Sequence, residues 1–192
     1  MTHGFSRHRR SGACVATFTS FEADLLRSLA SQLVELLRSE AATPGGTDPL
    51  EEMFDFSGPT SEPDDPVLAR LFPTAYPDDE EAAADFRRFT EGTLRNGKAA
   101  AAGTVIDSLE QAGLPPEPED GLYIDVELGE SDAMAWVRCF TDMRLALATR
   151  LGVEEGDEGY WESLSHEDPR AQVHDIYDWL GYLQETLVES IG

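Results

Sequence analysis

The chain has 192 residues, of which 41% are hydrophobic, so it is long enough for one domain with a sizeable core. Lys and Arg number 14 against 38 Asp and Glu, which gives a net charge of −24 at pH 7. Such an acidic protein repels nucleic-acid phosphates and anionic membranes, which argues against broad binding to either. No run of 18 apolar residues is present, so we expect no membrane-spanning helix and a cytoplasmic location.

The N-terminal residues 1–12 contain three arginines, two histidines and no acidic residue. They lack hydrophobic periodicity, which predicts a flexible basic tail. The next segment, Cys14–Thr19, is rich in β-branched residues and predicts a strand. Ser20 is a suitable N-cap for the helix that follows, in which leucines recur at helical spacing from Leu25 to Leu37.

The composition changes between about residues 43 and 66, where Pro, Gly, Ser and acidic residues dominate. This predicts an exposed acidic loop of about twenty residues. Met53, Phe54 and Phe56 are embedded among its acidic residues, a pattern typical of segments that dock into a basic groove. These three residues are therefore partner-binding candidates, and the alternative is a solvated linker whose apolar residues cover the core.

A second long helix is predicted from Asp78, which we expect to be its N-cap, to about Leu109. The prolines at positions 115, 116 and 118 end it. Residues 122–128 then alternate between apolar and polar side chains, which predicts a second strand.

A third helix is predicted to begin at Ser131 or Asp132 and to stop at Gly152. The pair Asp168-Pro169 predicts the start of a last helix, which ends near residue 191. Together these elements predict a mainly α fold: a four-helix bundle-like single domain over residues 13–192, with a small two-stranded antiparallel β element.

Several possible metal ligands are close together in sequence near the last helix. They are His166, Asp168, His174, Asp175 and Asp178. On a helix, His174 and Asp178 are neighbours that could share a metal ion, but no second histidine follows at helical spacing. The pattern favours a capping aspartate and a solvated His–Asp pair, so we predict no metal site.

No catalytic residue or cofactor is predicted. The sequence has no Gly-x-Ser-x-Gly nucleophile motif, no glycine-rich phosphate loop and no dinucleotide-binding motif. Ser165 and His166 are adjacent in sequence, which says nothing about the geometry of a catalytic triad. We therefore expect a protein that is not an enzyme.

The two cysteines, Cys14 and Cys139, allow two interpretations. One is that both are small buried hydrophobic residues, since Cys14 lies on one face of a strand and Cys139 at the edge of an apolar helix stripe. The other is a redox pair that joins the first strand to the third helix, which requires Cα atoms within about 7 Å.

Aromatic residues concentrate near the C-terminus and could form a binding patch. They are Tyr160, Trp161, Tyr177, Trp179 and Tyr182. Trp179 is in line with the apolar positions of the last helix, so core packing is expected for it. Tyr177 and Tyr182 are nearer the edge of that stripe and are the partner-binding candidates of this region.

Three separated stretches resemble the AosR family of actinobacteria, formerly a domain of unknown function. They are residues 71–91, which begin Leu71-Phe72-Pro73-Thr74-Ala75-Tyr76-Pro77, residues 141–152, and residues 176–185, which begin Ile176-Tyr177-Asp178-Trp179. The resemblance extends from about Val15 to Ile191. It implies a cytoplasmic oxidative-stress regulator that acts with an extracytoplasmic-function (ECF) sigma factor to promote cysteine and organosulfur genes.

The resemblance also implies a redox mechanism that uses cysteines in or near the loop after the first helix. This chain has no cysteine between Cys14 and Cys139, so a thiol switch would need that pair or a bond between two chains of a homo-oligomer. The acidic composition favours a basic protein partner, with DNA contacted only together with that partner. Genes of the family also lie near that of the Clp adaptor ClpS, so an adaptor role that is independent of redox state is the alternative.

Overall fold

The computed structural model describes residues 3–39 and 58–192. Over these ranges the elements are, in order, β1 (Ser6–Arg7), β2 (Cys14–Thr19), α1 (Ser20–Ser39), α2 (Pro66–Leu71), α3 (Glu80–Gln111), β3 (Tyr123–Leu128), α4 (Glu130–Leu151), α5 (Glu158–Glu162) and α6 (Pro169–Ile191). The predicted mainly α class is confirmed, and α1, α3, α4 and α6 are the four long helices. None of the helices in the described ranges is both long and apolar enough to cross a lipid bilayer.

The four long helices pack as neighbours around one hydrophobic core, with α1 against α3, α3 against α4 and α4 against α6. The leucine periodicity of α1 places Leu26, Leu33 and Leu37 on its buried face. From the last helix, Leu183 and Leu187 enter the same core. The fully buried tryptophan is Trp136 of α4, whereas Trp179, expected in the core, is only partly buried.

The three strands form one antiparallel sheet in the order β1-β2-β3. Cys14 pairs with Leu128 and Phe18 pairs with Ile124, so the buried positions of β2 and β3 face the helices together. The sheet thus contains the two predicted strands and a third, β1, which comes from the segment predicted to be a tail.

The prediction of a flexible tail is wrong for residues 4–7. Phe5 is buried and makes edge-on contacts with Phe18, Trp136 and Phe140, at centroid distances of 5.9, 5.7 and 6.5 Å. The backbone N–H of Phe5 donates to Thr186 Oγ1 at 3.0 Å. One inserted aromatic ring therefore holds this basic segment on the core.

Most helix ends follow the expected capping chemistry, although the first turns of α1, α3 and α4 differ from the prediction. Thr19, not Ser20, forms a capping box with Glu22: Thr19 N donates to Glu22 Oε2 at 2.8 Å, and Glu22 N donates to Thr19 Oγ1 at 3.2 Å. The Ser20 hydroxyl instead donates to the carbonyl of Glu119 and accepts from its N–H. The N-cap of α3 is Asp79 rather than Asp78.

The other caps are at the ends of α4 and at the start of α6. Gly129, not Ser131 or Asp132, precedes the first turn of α4. Gly152 ends α4 in the left-handed conformation, with φ of 71°, as the sequence predicted. Asp168 accepts a hydrogen bond from Arg170 N at 2.9 Å, which confirms the predicted start of α6.

The N-terminal half of α3 buries charge instead of apolar side chains. Glu91 accepts hydrogen bonds from Arg87 Nη1 at 3.2 Å and from Arg95 Nη2 at 2.8 Å. Arg87 also donates to the carbonyl of Phe72, and Arg95 donates to the carbonyl of Leu37. These three residues, the α3 charge network, connect α3 to the C-terminal ends of α1 and α2.

Candidate docking groove

An open groove of about 940 Å³ lies between α4 and α6, with α5 and the segments around it along one side. Its lining comprises Arg70, Thr141, Arg144, Leu145, Ala148, Val153, Glu154, Glu155, Asp157, Glu158, Trp161, Glu162, Leu164, His166, Ala171, His174, Asp175, Tyr177, Asp178 and Gln184. We call this feature the α4–α6 groove. Residues of four helices, α2, α4, α5 and α6, contribute to it.

A row of aromatic rings runs along the α4–α6 groove. The Trp161 ring stacks on His174 with a centroid distance of 4.6 Å and an interplanar angle of 15°. His174 in turn contacts Tyr177 at 5.7 Å, and Trp161 contacts Tyr160 edge-on at 5.1 Å. Trp161 is 7% exposed, so its ring is packed against the protein, whereas Tyr160 is 47% exposed and accessible to solvent.

Asp157 fixes the Trp161 side of the groove. Its Oδ2 accepts hydrogen bonds from Trp161 Nε1 at 2.7 Å and from Glu154 N at 2.9 Å. These bonds lower the pKa of Asp157, the one from the Glu154 backbone most, and outweigh the opposing effect of desolvation. The carboxylate is thus held ionised and positions the indole ring.

Arg144 lies on the opposite side, across the ring of Tyr177. Its guanidinium carbon is 4.8 Å from the centroid of that ring, and Nη1 donates to Gln184 Oε1 at 3.1 Å. A Cβ atom at position 181 would be 3.2 Å from the Arg144 guanidinium, so Gly181 leaves space for this arrangement. Arg144 Nε is buried and finds no acceptor among the described residues.

Carboxylates form much of the rim of the groove. Glu154, Glu158 and Glu162 are exposed, and within the described part of the chain none of the three forms an ion pair. Asp178, whose side chain is 65% exposed, lies 3.3 Å from His174 Nδ1. An aromatic floor under an acidic rim is suited to a positively charged segment with an apolar side chain.

The structure brings only one of the predicted partner-binding residues into the groove. Tyr177 lines it, whereas the Tyr182 hydroxyl accepts a hydrogen bond from Gly4 N at 3.0 Å, away from the groove. Met53, Phe54 and Phe56 lie outside the described residues. Sequence reasoning missed Arg144, because nothing in the spacing of α4 marks it as the partner of an aromatic ring on α6.

The residues considered as metal ligands form other interactions in the structure. Asp168 caps α6, and His174 is stacked on Trp161 while it faces Asp178. Within residues 3–39 and 58–192, no group of three or more His, Cys, Asp or Glu side chains is arranged to hold a metal ion.

The two redox candidates, Cys14 and Cys139, are buried free thiols. Burial, together with the smaller effect of the neighbouring Asp142 carboxylate, raises the pKa of Cys139 to about 12. Burial also raises the pKa of Cys14, against the smaller opposing effect of Arg7. Both thiols are therefore held in the protonated form, which is not the nucleophile in thiol chemistry.

The comparisons with known proteins agree with one another. The family described as "Domain of unknown function (DUF2017)" matches residues 2–191. A Mycobacterium bovis protein named "Oxidative stress regulator AosR" is 35% identical over 182 residues, which cover 87% of this chain and 77% of the relative. Proteins of the same name from two strains of Mycobacterium tuberculosis match with the same identity and coverage.

No solved structure shows a significant match to this chain. The family assignment therefore rests on sequence, and it extends over almost the whole length of the protein. The chain belongs to the DUF2017 family, and it is similar to the mycobacterial proteins named oxidative stress regulator AosR.

Proposed function

We propose that this protein is a non-enzymatic cytoplasmic regulator of the oxidative-stress response that acts by binding an ECF sigma factor, and thereby promotes cysteine and organosulfur genes. The regulatory role in oxidative stress is supported by relatives of that name at 35% identity. That match over 87% of the chain is the single observation that carries the regulatory part of the proposal.

The physical chemistry of the chain supports action through protein contacts. A net charge of −24 opposes direct binding to DNA, and an open groove with an acidic rim offers a surface to a basic protein. In this proposal a sigma factor supplies the contact with DNA. DNA is then approached only as part of the complex.

Redox control, if it acts through this chain, requires the buried pair Cys14 and Cys139 or a bond between two chains. Because both thiols are buried and protonated, oxidation within one chain would have to follow a local opening of the fold. The sensing step would accordingly be slow in the folded protein and would depend on its stability.

The direct test is calorimetric titration of the purified protein with purified ECF sigma factors of the same organism, at low and at high salt. The titrations are repeated after peroxide treatment. We expect a complex with one of them that weakens with salt, as contacts between opposite charges do. Absence of binding at any salt concentration would refute the sigma-factor partnership. Binding to a Clp chaperone or its ClpS adaptor instead, unchanged by peroxide, would support the adaptor role.

A further inference from the structure

The α4–α6 groove has aromatic and acidic groups that favour a positively charged ligand. Its aromatic row comprises Trp161, His174 and Tyr177, with Tyr160 beside the Trp161 end and carboxylates along the rim. Aromatic faces attract cations, and carboxylates pair with them, so both kinds of group favour the same ligand.

The protein's own arginines show how guanidinium groups fit this surface. At one end, Arg144 lies over the Tyr177 ring at 4.8 Å. Beside the other end, Arg170 Nη1 donates to the Tyr160 hydroxyl at 2.8 Å, and its Nη2 pairs with Asp168 at 2.8 Å. The glutamates that line the same groove, Glu154, Glu158 and Glu162, form no ion pair in the described part of the chain.

We propose that the α4–α6 groove is the docking site for a basic segment of the protein partner, in which an arginine side chain lies between the rim glutamates next to an apolar residue on the aromatic floor. This inference rests on the proposed function and specifies the partner's chemistry. Charge complementarity favours this occupant: the open rim is acidic, and Arg144 is already occupied by Tyr177 and Gln184.

A second copy of this chain is the less suitable occupant, because two copies that each carry −24 repel one another over long range. The N-terminal segment, the chain's own basic stretch, is also engaged elsewhere. Phe5 is buried in the core and Gly4 is bonded to Tyr182. The groove is therefore left to a basic segment from another protein.

The experiment uses the full chain and a short blocked peptide with two arginines on either side of a leucine as the probe. The chain has three tryptophans, so the indole N–H signals in ¹⁵N-correlated NMR spectra form a small set, and Trp161→Phe assigns the relevant one. We expect the peptide to shift the Trp161 signal and to leave that of the fully buried Trp136 in place. The matched peptide with glutamates instead of arginines should shift neither.

Two variants of equal net charge distinguish the effect of the groove on peptide binding from the effect of the protein's overall charge. The groove variant carries Glu154→Lys, Glu158→Lys and Glu162→Lys; the control carries Asp107→Lys, Glu110→Lys and Glu117→Lys, which are exposed and away from the groove. We expect about tenfold weaker peptide binding for the groove variant and a change of less than about twofold for the control. Equal weakening in both variants, or an unmoved Trp161 signal, would overturn the proposal.

The same two variants distinguish this inference from the proposed function. If an ECF sigma factor binds the wild-type protein and both variants equally, the groove is not its docking site although the partnership stands. If the peptide binds the groove as described and no ECF sigma factor binds the wild-type protein, the docking site stands and the partner belongs to another class.

Discussion

Glu91 and Arg95 form a 2.8 Å ion pair inside the protein, where only 2% and 9% of their side-chain surfaces are exposed. The other oxygen of Glu91 pairs with Arg87, so a single carboxylate serves two buried guanidinium groups. The guanidinium of Arg95 additionally lies over the ring of Phe72 at 4.8 Å. Charge that is buried to this extent must be neutralised locally, because water cannot do so.

Glu91→Gln should therefore destabilise the fold strongly, by about 3–5 kcal/mol, since it leaves two buried cations uncompensated. The free energy of unfolding, measured in urea by circular dichroism, tests this. The control is Asp85→Asn, which removes an exposed partner of Arg88 and should cost less than about 1 kcal/mol. If Glu91→Gln and the wild type are equally stable, the α3 charge network makes no net contribution to the free energy of unfolding.

A second prediction concerns Lys98 and Asp142, whose Nζ and Oδ1 atoms are 2.7 Å apart. Burial raises the pKa of Asp142 more than the bond and charge of Lys98 lower it. Lys98→Met should thus leave an unpaired buried carboxylate and cost about 2–3 kcal/mol near neutral pH.

The pH dependence of this variant follows from the sign of the shift. Because its pKa is raised in the folded state, Asp142 takes up a proton there before it does in the unfolded chain, and acid relieves the penalty. The difference in the free energy of unfolding between Lys98→Met and the wild type should therefore become smaller as the pH falls towards the ordinary pKa range of carboxyl groups. Adding Asp142→Asn to Lys98→Met should close most of the gap at neutral pH; a gap that persists would assign the loss to packing of the lysine stem.

A third prediction concerns the thiols. Free-thiol titration of the native protein should find Cys14 and Cys139 unreactive near neutral pH, both before and after mild peroxide, and reactive once urea unfolds the chain. With its pKa raised to about 12, Cys139 should stay protonated well above the range in which an unfolded cysteine ionises. The loss of two thiols at unchanged monomer mass after peroxide would instead establish an intramolecular disulfide.

A fourth prediction concerns the N-terminal segment. Phe5→Ala removes a ring that contacts Phe18, Trp136 and Phe140, and it should cost about 3–5 kcal/mol, as large-to-small core substitutions do. Thermal and urea unfolding measure the loss. Tyr182→Phe, which removes only the hydrogen bond from Gly4 N, should cost about 1 kcal/mol and serves as the control. A Phe5→Ala variant with wild-type stability would mean that the segment is dispensable.

The fold was predictable where local signals are strong. Leucines at helical spacing placed α1, Gly152 placed the end of α4, and Asp168-Pro169 placed the start of α6. Each of these signals depends on backbone chemistry within a few residues. The first turns of α1, α3 and α4 were less well predicted because several neighbouring residues there are equally good caps.

The remaining features depend on contacts between distant parts of the chain. Phe5 looked like part of a polar tail because a single apolar residue shows no periodicity, yet it has a place in the core. Nothing in the local sequence marks Arg87, Glu91 and Arg95 as buried, since charged residues rarely are. The α4–α6 groove combines Trp161, His174 and Arg144 from three elements, and no local pattern could show that their side chains meet.

The composition of α3 divides this single 32-residue helix into two regions of different local stability. Its buried residues are Arg87, Glu91 and Arg95 in the first half, and Ala101, Ala102, Val105 and Leu109 in the second. The second half packs in the hydrophobic core, so we expect its amide protons to exchange with solvent only on global unfolding. The first half is held to its neighbours by ion pairs and hydrogen bonds instead of apolar packing, so we expect amide hydrogen exchange to be faster there along one continuous backbone.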